Sequence, residues 1–167
     1  MSIDGKEFRT ALGRFATGVT VVTAKTPTEA RGMTANAFSS LSLDPPLVLV
    51  CYDNKASSLK IVQEAKKFAI NFLAEEQKNT SDWFAGKGRD AEDQFADIPH
   101  EIGENGSPVL TGNVGVLECD LHEELPGGDH TIVVGRVTRV VLEEEVRAPL
   151  LFYGSAYRKM DMDGAYD

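Results

Sequence analysis

The sequence predicts a mainly β fold of the α+β class, in which an antiparallel, Greek-key-like sheet closes into a barrel beside a few short helices. Apolar and β-branched runs of strand length outnumber helical patterns, and Pro- or Gly-rich turn signals separate them. No Gly-x-Gly-x-x-Gly motif follows a predicted strand, which argues against a dinucleotide-binding α/β fold. At 167 residues the chain fits one domain, with residues 8–159 as its folded core and residues 160–167 as a loose tail.

The periodicity of the apolar residues orders the elements along the chain. One helix is predicted at residues 8–15 and a second at 59–65, since both stretches repeat one helical face. A third helix is predicted to start with Asn79 as its cap. Residues 98–110, rich in Gly, Pro and charge, are predicted to form a long surface loop. Strands are predicted at residues 19–24, 34–42, 47–51, 67–74, 114–121 and 132–141.

Charge and composition argue against several kinds of partner. The net charge of −9 at pH 7 makes the surface acidic and unsuited to nucleic acid or an anionic membrane. No apolar run approaches the ~20 residues of a membrane span, and the N-terminus lacks a signal-peptide core, so we expect a cytoplasmic protein. Cys51 and Cys119 lie in strand-like apolar runs and are expected to be free thiols. The histidines share no ligand spacing, which argues against a metal site.

Residues 34–42 form an uncharged predicted strand with small side chains, four hydroxyls and one amide. Such a strand offers neutral hydrogen-bond donors on one side and a thin packing surface on the other. Asp44-Pro45-Pro46 ends it, because proline fixes its own backbone and removes a donor. We therefore expect this strand to bind a polar ligand through its backbone amides and the side chains of Thr34, Asn36, Ser39 and Ser40.

A second candidate site lies at the start of the second helix. Asn54 is predicted to be the N-cap, which leaves the amides of Ala56, Ser57 and Ser58 pointing out of the helix start. With the serine hydroxyls, Lys55 and the helix dipole, these amides make a compact anion site. The alternative is an ordinary capped helix that binds nothing.

A glycine-bearing loop with two cations follows the third helix. Lys87 and Arg89 lie in this loop, and a flexible loop of this kind can close over a phosphate. The alternative is that both are solvated charges without a specific partner. Trp83, just before the loop, is expected to be a core anchor rather than a platform for a cofactor.

Gly128-Asp129-His130 places a histidine between a tight turn and a buried strand. The backbone there is fixed and the ring is expected to be half-exposed. Two interpretations follow: a functional imidazole, or a strand-end residue bonded to Asp129, which caps the turn. His100 and His122 have no such context and are expected at the surface.

These motifs, in this order, resemble the flavin reductase family, the small NAD(P)H:flavin oxidoreductases of two-component monooxygenases, whose fold is the flavin-binding split barrel. The resemblance extends from about Phe8 to Lys159 and includes the closing segment 149–159. It implies NAD(P)H-dependent reduction of FMN or FAD, with the reduced flavin passed to a separate flavin-dependent monooxygenase. It also implies a homodimer in which the flavin pocket is completed across the subunit interface.

The resemblance assigns residues to the site. His130 is the candidate catalytic residue on the nicotinamide side, where Tyr157 is expected to stack on a ring and Arg158 to bind a pyrophosphate. Ser155-Ala156 stands where typical members have another Arg or Gly, a departure that affects the nicotinamide contact. The residues expected to bind the flavin are Met33, Thr34, Ala35, Asn36, Ser39, Ser40, Cys51, Lys55, Ala56, Ser57, Ser58, Phe84, Lys87 and Arg89.

The implied chemistry fits the residues that the chain offers. Hydride transfer between two flat rings needs positioning and exclusion of water rather than a nucleophile or a strong acid. The sequence has no Ser-His-Asp or carboxylate-pair signature, and its polar strand is neutral. The alternative function is a flavin- or haem-binding split-barrel module without reductase activity. A ligand-free structural domain fits the polar strand least well.

Overall fold

Strands contain more residues than helices in the computed structural model, which describes residues 3–88 and 90–164. Its α-helices are α1 (Gly5–Leu12), α2 (Ser57–Ala65) and α3 (Lys78–Asp82); a 3-10 turn, Glu75–Gln77, precedes α3 and a π-helical turn, Trp83–Lys87, follows it. Its strands are β1 (Thr17–Gly18), β2 (Thr20–Lys25), β3 (Ala30–Ala35), β4 (Phe38–Leu43), β5 (Pro46–Asp53), β6 (Lys67–Phe72), β7 (His100–Ile102), β8 (Pro108–Leu110), β9 (Gly115–Gly127), β10 (His130–Leu142), β11 (Leu151–Tyr153) and β12 (Ala156–Arg158).

The main sheet curls until its two edges approach each other. Among the described residues, seven strands form this antiparallel sheet in the order β3-β2-β6-β9-β10-β5-β4. The edge strands β3 and β4 are consecutive in the chain, separated only by Asn36 and Ala37. Phe38 at the start of β4 meets Phe72 at the end of β6, with ring centroids 5.4 Å apart. The predicted mainly β, antiparallel barrel architecture is confirmed.

Apolar side chains fill the inside of the curled sheet and a second layer outside it. On β5 the burial alternates, so that Val48, Val50 and Tyr52 are buried in the barrel core with α2 packed against it. The second cluster includes Phe84 and Phe95, which cover the outer side of β3. Of the strands that carry candidate site residues, β3 lies between these two clusters.

The predicted polar strand at residues 34–42 is wrong in one respect, because two strands share it. β3 ends at Ala35, β4 begins at Phe38, and the chain turns a corner at Asn36 and Ala37. The carbonyl of Ala37 accepts the amide of Cys51 at 3.0 Å, which ties the corner to β5. No Gly or Pro marks this corner, so the sequence carries no turn signal there.

Two further segments fold into hairpins. The expected loop at residues 98–110 contains the paired strands β7 and β8, and Asn71 stabilises it by accepting the amide of Leu110 at 2.8 Å. The closing segment 149–159 folds into β11 and β12 around a turn at Gly154 and Ser155, both with positive φ. α3 begins at Lys78 instead of after an Asn79 cap.

Tyr52 offers a test of the core. Its side chain is fully buried, and within the described residues its hydroxyl has no hydrogen-bond partner, so burial raises the pKa of Tyr52. Tyr52→Phe is expected to raise the free energy of unfolding by about 1 kcal/mol, because it removes an unsatisfied buried group. Tyr157→Phe is the matched control and should lower it, since that hydroxyl lies 2.9 Å from Ser81 Oγ. A destabilised Tyr52→Phe protein in denaturant titrations would contradict this expectation.

Candidate functional site

Three predicted site residues share one face of the sheet formed by β4, β5 and β10. Directly opposed residues of an antiparallel pair point to the same side. The register therefore places Ser39, Cys51 and His130 on one face. The opposite face of these strands carries the core residues Val50 and Tyr52. We call the surface defined by Ser39, Cys51 and His130 the outward face.

The corner between β3 and β4 borders the outward face. Asn36 is exposed there, and the neighbouring Ala37 is bonded to the backbone of Cys51. Ser39 and Ser40 are both exposed, and the Ser39 hydroxyl donates to the carbonyl of Ser40 at 3.0 Å. Both serines are accessible, but only Ser39, opposite Leu49, lies on the outward face, whereas Ser40 opposes Val48 and lies on the other face of β4.

The start of α2 differs from the prediction that Asn54 caps it. Ala56 is the N-cap, because the chain first makes a turn in which Asp53 Oδ1 accepts the amide of Lys55 at 2.8 Å. The carbonyl of Asp53 accepts the amide of Ala56 at 2.9 Å, so that amide is not available to an anion, contrary to our expectation.

An anion site nevertheless remains at this helix start. Alanine has no oxygen with which to cap a helix, and no side chain of the described structure caps the first turn of α2. The amides of Ser57 and Ser58 point out of the helix, and the first turn contains no acidic residue. Ser58 has a buried side chain, whereas Ser57 and Lys55 are exposed. These uncapped amides fit the phosphate of a flavin nucleotide.

His130 combines a fixed backbone with a half-exposed ring. Its side chain is 42% exposed, and its Nδ1 lies 2.7 Å from Asp129 Oδ1. The carboxylate accepts the Nδ1 proton, and this hydrogen bond is the main reason why the pKa of Asp129 lies below its ordinary value. The bond to Asp129 matches the structural interpretation of this motif, while the position on the outward face matches the functional one.

A second group of candidate residues surrounds α3. Thr34 Oγ1 donates to the carbonyl of Ser81 at 2.7 Å, so the Thr34 side chain is turned toward α3. Ser81 Oγ lies 2.9 Å from the hydroxyl of Tyr157. The Tyr157 ring packs edge-on against Phe152, and Lys78 Nζ lies 5.2 Å from its centroid. The ring that was predicted to stack on a nicotinamide is therefore half-buried and already in contact with these neighbours.

Two of the predicted cations, Lys87 and Arg158, have partners within the protein. Asp82 Oδ2 binds Lys78 at 2.9 Å and Lys87 at 3.2 Å. Hydrogen bonds from these two lysines, Lys78 first, lower the pKa of Asp82 to about 2. Arg158 is exposed, and its Nε lies 3.4 Å from the carbonyl of Tyr153. Arg89 lies outside the described residues.

Three predicted flavin contacts have side chains that pack inside the protein. Met33 and Ala35 pack their side chains on the barrel core, and their backbone groups face β2, where the Ala35 carbonyl accepts the hydroxyl of Thr20 at 2.7 Å, so neither residue is open to a ligand, contrary to our expectation. Phe84 is 4% exposed and lies so close to β3 that a Cβ on Gly32 would be 2.7 Å from its ring. The structure gives Phe84 a packing position, and we do not include it in the site proposed below.

The free edge of β3 presents backbone donors beside this packing layer. The Gly32 amide points off the edge and donates to Gln94 Oε1 at 2.8 Å. Because amides alternate along a strand, the Thr34 amide lies on the same edge. The Trp83 indole N–H donates to the carbonyl of Gln94 at 2.9 Å, as expected of an anchor.

The residues that the structure describes contain neither a metal-binding cluster nor a membrane-spanning helix. Within residues 3–88 and 90–164 no group of three His, Cys, Asp or Glu side chains is placed to hold a metal ion. No helix of these residues is long and apolar enough to cross a membrane. Cys51 and Cys119 are both free thiols, and burial raises the pKa of Cys119 to about 12.

Comparison with known proteins decides the family. Residues 12–161 match the model of the flavin reductase like domain. This chain belongs to the flavin reductase family. It is 43% identical over 153 residues to the reductase component of 4-hydroxyphenylacetate 3-monooxygenase of Thermus thermophilus, covering 92% of this chain and 95% of the relative.

Two further comparisons concern the cofactors of flavin reductases. The chain is 43% identical over 154 residues to the FMN reductase (NADH) SmoA of Agrobacterium fabrum, covering 92% of this chain and 85% of that protein. The crystallised Streptomyces globisporus NADH:FAD oxidoreductase SgcE6, in complex with NAD and FAD fragments, superposes with a TM-score of 0.90 at 37% identity, covering 99% of both chains. These relatives confirm the predicted family, the split-barrel fold and the class of enzyme.

The sequence analysis missed an apolar groove of this flavin reductase. The groove measures about 430 Å³ and begins at Asn36, the predicted site residue that lines it. It continues along residues 15–20 to Phe38 and Phe72. The hydroxyl of Thr17 on its wall is buried without a hydrogen-bond partner among the described residues. The sequence of residues 15–20 indicated only a helix end and a strand. A groove formed between segments that are distant in the chain leaves no local sequence pattern, so it could not be predicted.

Proposed function

We propose that this flavin reductase catalyses hydride transfer from NADH or NADPH to FMN or FAD and supplies the reduced flavin to a separate monooxygenase. The observation that carries the proposal is the meeting of the outward face with the uncapped start of α2. His130 pairs with Asp53 in the last register position of β5, three residues before the N-cap of α2. The phosphate donors and an imidazole thus meet at one end of β5, and the Ser39 hydroxyl lies on the same face, opposite Leu49.

Each group has a role that follows from its position. The amides at the start of α2, with Lys55, bind the flavin phosphate. Ser39 and the edge amide of Thr34 donate to the polar side of the ring, and as neutral donors they stabilise its reduced form without binding either redox state very tightly. His130 orients the dihydronicotinamide and limits access of water. When bound, the flavin supplies the ring that accepts the hydride.

The activity test uses purified protein with each nicotinamide and each flavin. NADH or NADPH absorbance is expected to fall only when both protein and flavin are present. The Thermus thermophilus relative is the reductase component of a monooxygenase, so delivery is tested by adding a flavin-dependent monooxygenase across a dialysis membrane. If flavin changes its absorbance spectrum on binding but no nucleotide is oxidised, the chain is the binding module of the alternative function.

Ser57→Asp tests the anion site. A carboxylate at this position repels a phosphate, so flavin affinity is expected to fall at least about tenfold, as one lost charge-assisted contact predicts. An acidic residue in the first turn stabilises a helix, so the melting temperature should not fall. Thr111→Asp adds the same charge at an exposed position between β8 and β9 and should leave affinity unchanged. Equal flavin affinity in all three proteins, measured by fluorescence quenching, would place the phosphate elsewhere.

We also propose that the enzyme is a homodimer. Large apolar side chains are exposed on β4, where Leu43 is 95% exposed, and on the half of β10 beyond β5, where Leu142 is 71% exposed. Exposed apolar side chains on sheet edges are typical of an interface. Light scattering should give the mass of a dimer, and Leu43→Lys should shift the mass toward the monomer.

A further inference from the structure

Asn54 is not the cap of α2 that the sequence predicted, but makes several long-range hydrogen bonds. Its amide donates to the carbonyl of Asp129 at 3.1 Å, and its Oδ1 accepts the hydroxyl of Thr131 at 2.8 Å. Its Nδ2 donates to the carbonyl of Gly128 at 3.4 Å, a longer contact. These partners lie on both sides of His130, 74 to 77 residues away in the chain.

These contacts add to the pairing of His130 with Gly127 of β9. His130 is the first residue of β10 and pairs with Asp53, where the ladder between β10 and β5 ends. The turn before it contains Gly128 at φ +74°, and Asp129 is exposed. The end of a ladder frays readily unless side chains hold it. Asn54 supplies that restraint, because it bonds to the turn on one side of the histidine and to the strand on the other.

Asn54 also stands directly before Lys55 and the start of α2. The loop that we assign to the flavin phosphate and the turn that carries His130 are therefore joined by the side chain of Asn54 in addition to its backbone amide. Efficient reaction between two stacked rings requires them to lie within ~3–3.5 Å of each other, so the relative position of the two loops affects the rate. A change in this position alters the rate more than it alters the affinity for either ligand alone.

We propose that Asn54 is a positioning residue of the reductase, which fixes His130 relative to the flavin-binding end of α2. The inference rests on the proposed function for the role of His130, and on the geometry alone for the coupling of the two loops. Asn54 touches neither ring in this account. It acts through the turn at 128–131.

The activity test is a double-mutant cycle. Asn54→Ala is expected to lower kcat for NADH oxidation at saturating flavin about tenfold, less than the ~100-fold that a misplacement of ~1 Å can cause. Flavin affinity should change little. In a His130→Ala background, Asn54→Ala should have no further effect, since its action passes through that ring. Asn79→Ala, an exposed asparagine on α3, is the matched control.

Substitutions of Thr131 test the same hydrogen bond from the other side. Thr131→Val removes the hydroxyl that Asn54 accepts and should reproduce part of the loss, whereas Thr131→Ser keeps the hydroxyl and should restore the rate. An Asn54→Ala effect of equal size with and without His130, or one that follows a fall in melting temperature, would overturn the proposal.

A readout without ligand separates this inference from the proposed function. In NMR spectra of the free protein, the ring resonances of His130 should move toward those of the exposed His122 when Asn54 is replaced by Ala, because the bond to Asp129 loosens. Unchanged His130 resonances would refute the coupling even in an active enzyme. A shift of these resonances in a protein that oxidises no nucleotide would refute the proposed function and leave the coupling intact.

Discussion

His130→Ala is expected to lower kcat for NADH oxidation by about 100-fold. Without the imidazole the nicotinamide is no longer held in position, and a misplacement of ~1 Å lowers the rate by about that factor. The ring stands on the outward face with Cys51 and Ser39, and its Nδ1 is bonded to Asp129, so the other ring nitrogen is presented to a ligand. The loss should appear in kcat and in the single-turnover rate measured by stopped flow under nitrogen. Flavin affinity should be unchanged, since phosphate binding belongs to α2.

His122→Ala is the control for this experiment. His122 is exposed on β9, carries the same side chain and has no place in the proposed site. It should leave the rate unchanged. If His130→Ala retains the full rate while flavin still binds, the imidazole is the strand-end residue of the structural interpretation, and the nicotinamide lies elsewhere.

Glu118→Ala is expected to lower the free energy of unfolding by about 3 kcal/mol, because it removes a fully buried carboxylate, leaves its hydrogen-bond donors unpaired and opens a cavity. Glu118 is fully buried on β9. Its carboxylate accepts Arg139 Nη1 and the amide of Asn105, each at 2.7 Å. Gly103 packs so closely that a Cβ there would lie 2.8 Å from Glu118 Oε2. Truncation leaves the Asn105 amide without its partner and opens a cavity.

Two variants make this prediction specific. Glu104→Ala removes the surface partner of the same arginine, 3.2 Å from its Nε, and should change stability little. Glu118→Gln retains the shape and should fall between wild type and Glu118→Ala in urea titrations. Equal stability of Glu118→Ala and wild type would show that the buried carboxylate is dispensable.

The pH dependence of stability provides a second measurement for Glu118. Burial raises the pKa of this carboxyl, but the hydrogen bonds from Asn105 and Arg139 outweigh burial and bring the pKa below its ordinary value of 4.5. The unfolded chain therefore binds the proton first as the pH falls. The stabilisation is complete above pH 4.5 and is lost as the pH drops through the lower pKa of the folded state. Glu118→Gln should remove this part of the acid sensitivity.

The sequence predicts well what depends on local pattern. The β-branched run at residues 19–24 and the apolar run at residues 47–51 became β2 and β5 with small changes in their ends. The resemblance to the family, based on the order of short motifs, predicted the enzyme class.

Long-range hydrogen bonds account for what the sequence did not predict. The corner at Asn36 is set by a bond between Ala37 and Cys51, and the hairpin within 98–110 is set by Asn71 on β6. Asn54 has the composition of a helix cap, but a turn more than 70 residues away takes its side chain. Partners at such distances leave no periodicity or spacing that a single sequence reveals.

The alanine at the N-cap of α2, Ala56, relates the stability of the free enzyme to ligand binding. Replacing the alanine at a helix cap with a serine or an aspartate commonly stabilises a protein by about 1 kcal/mol. Here the added oxygen would accept hydrogen bonds from the same backbone amides that a phosphate needs. If the phosphate binds there as proposed, a substitution of Ala56 that raises the melting temperature is expected to weaken flavin binding.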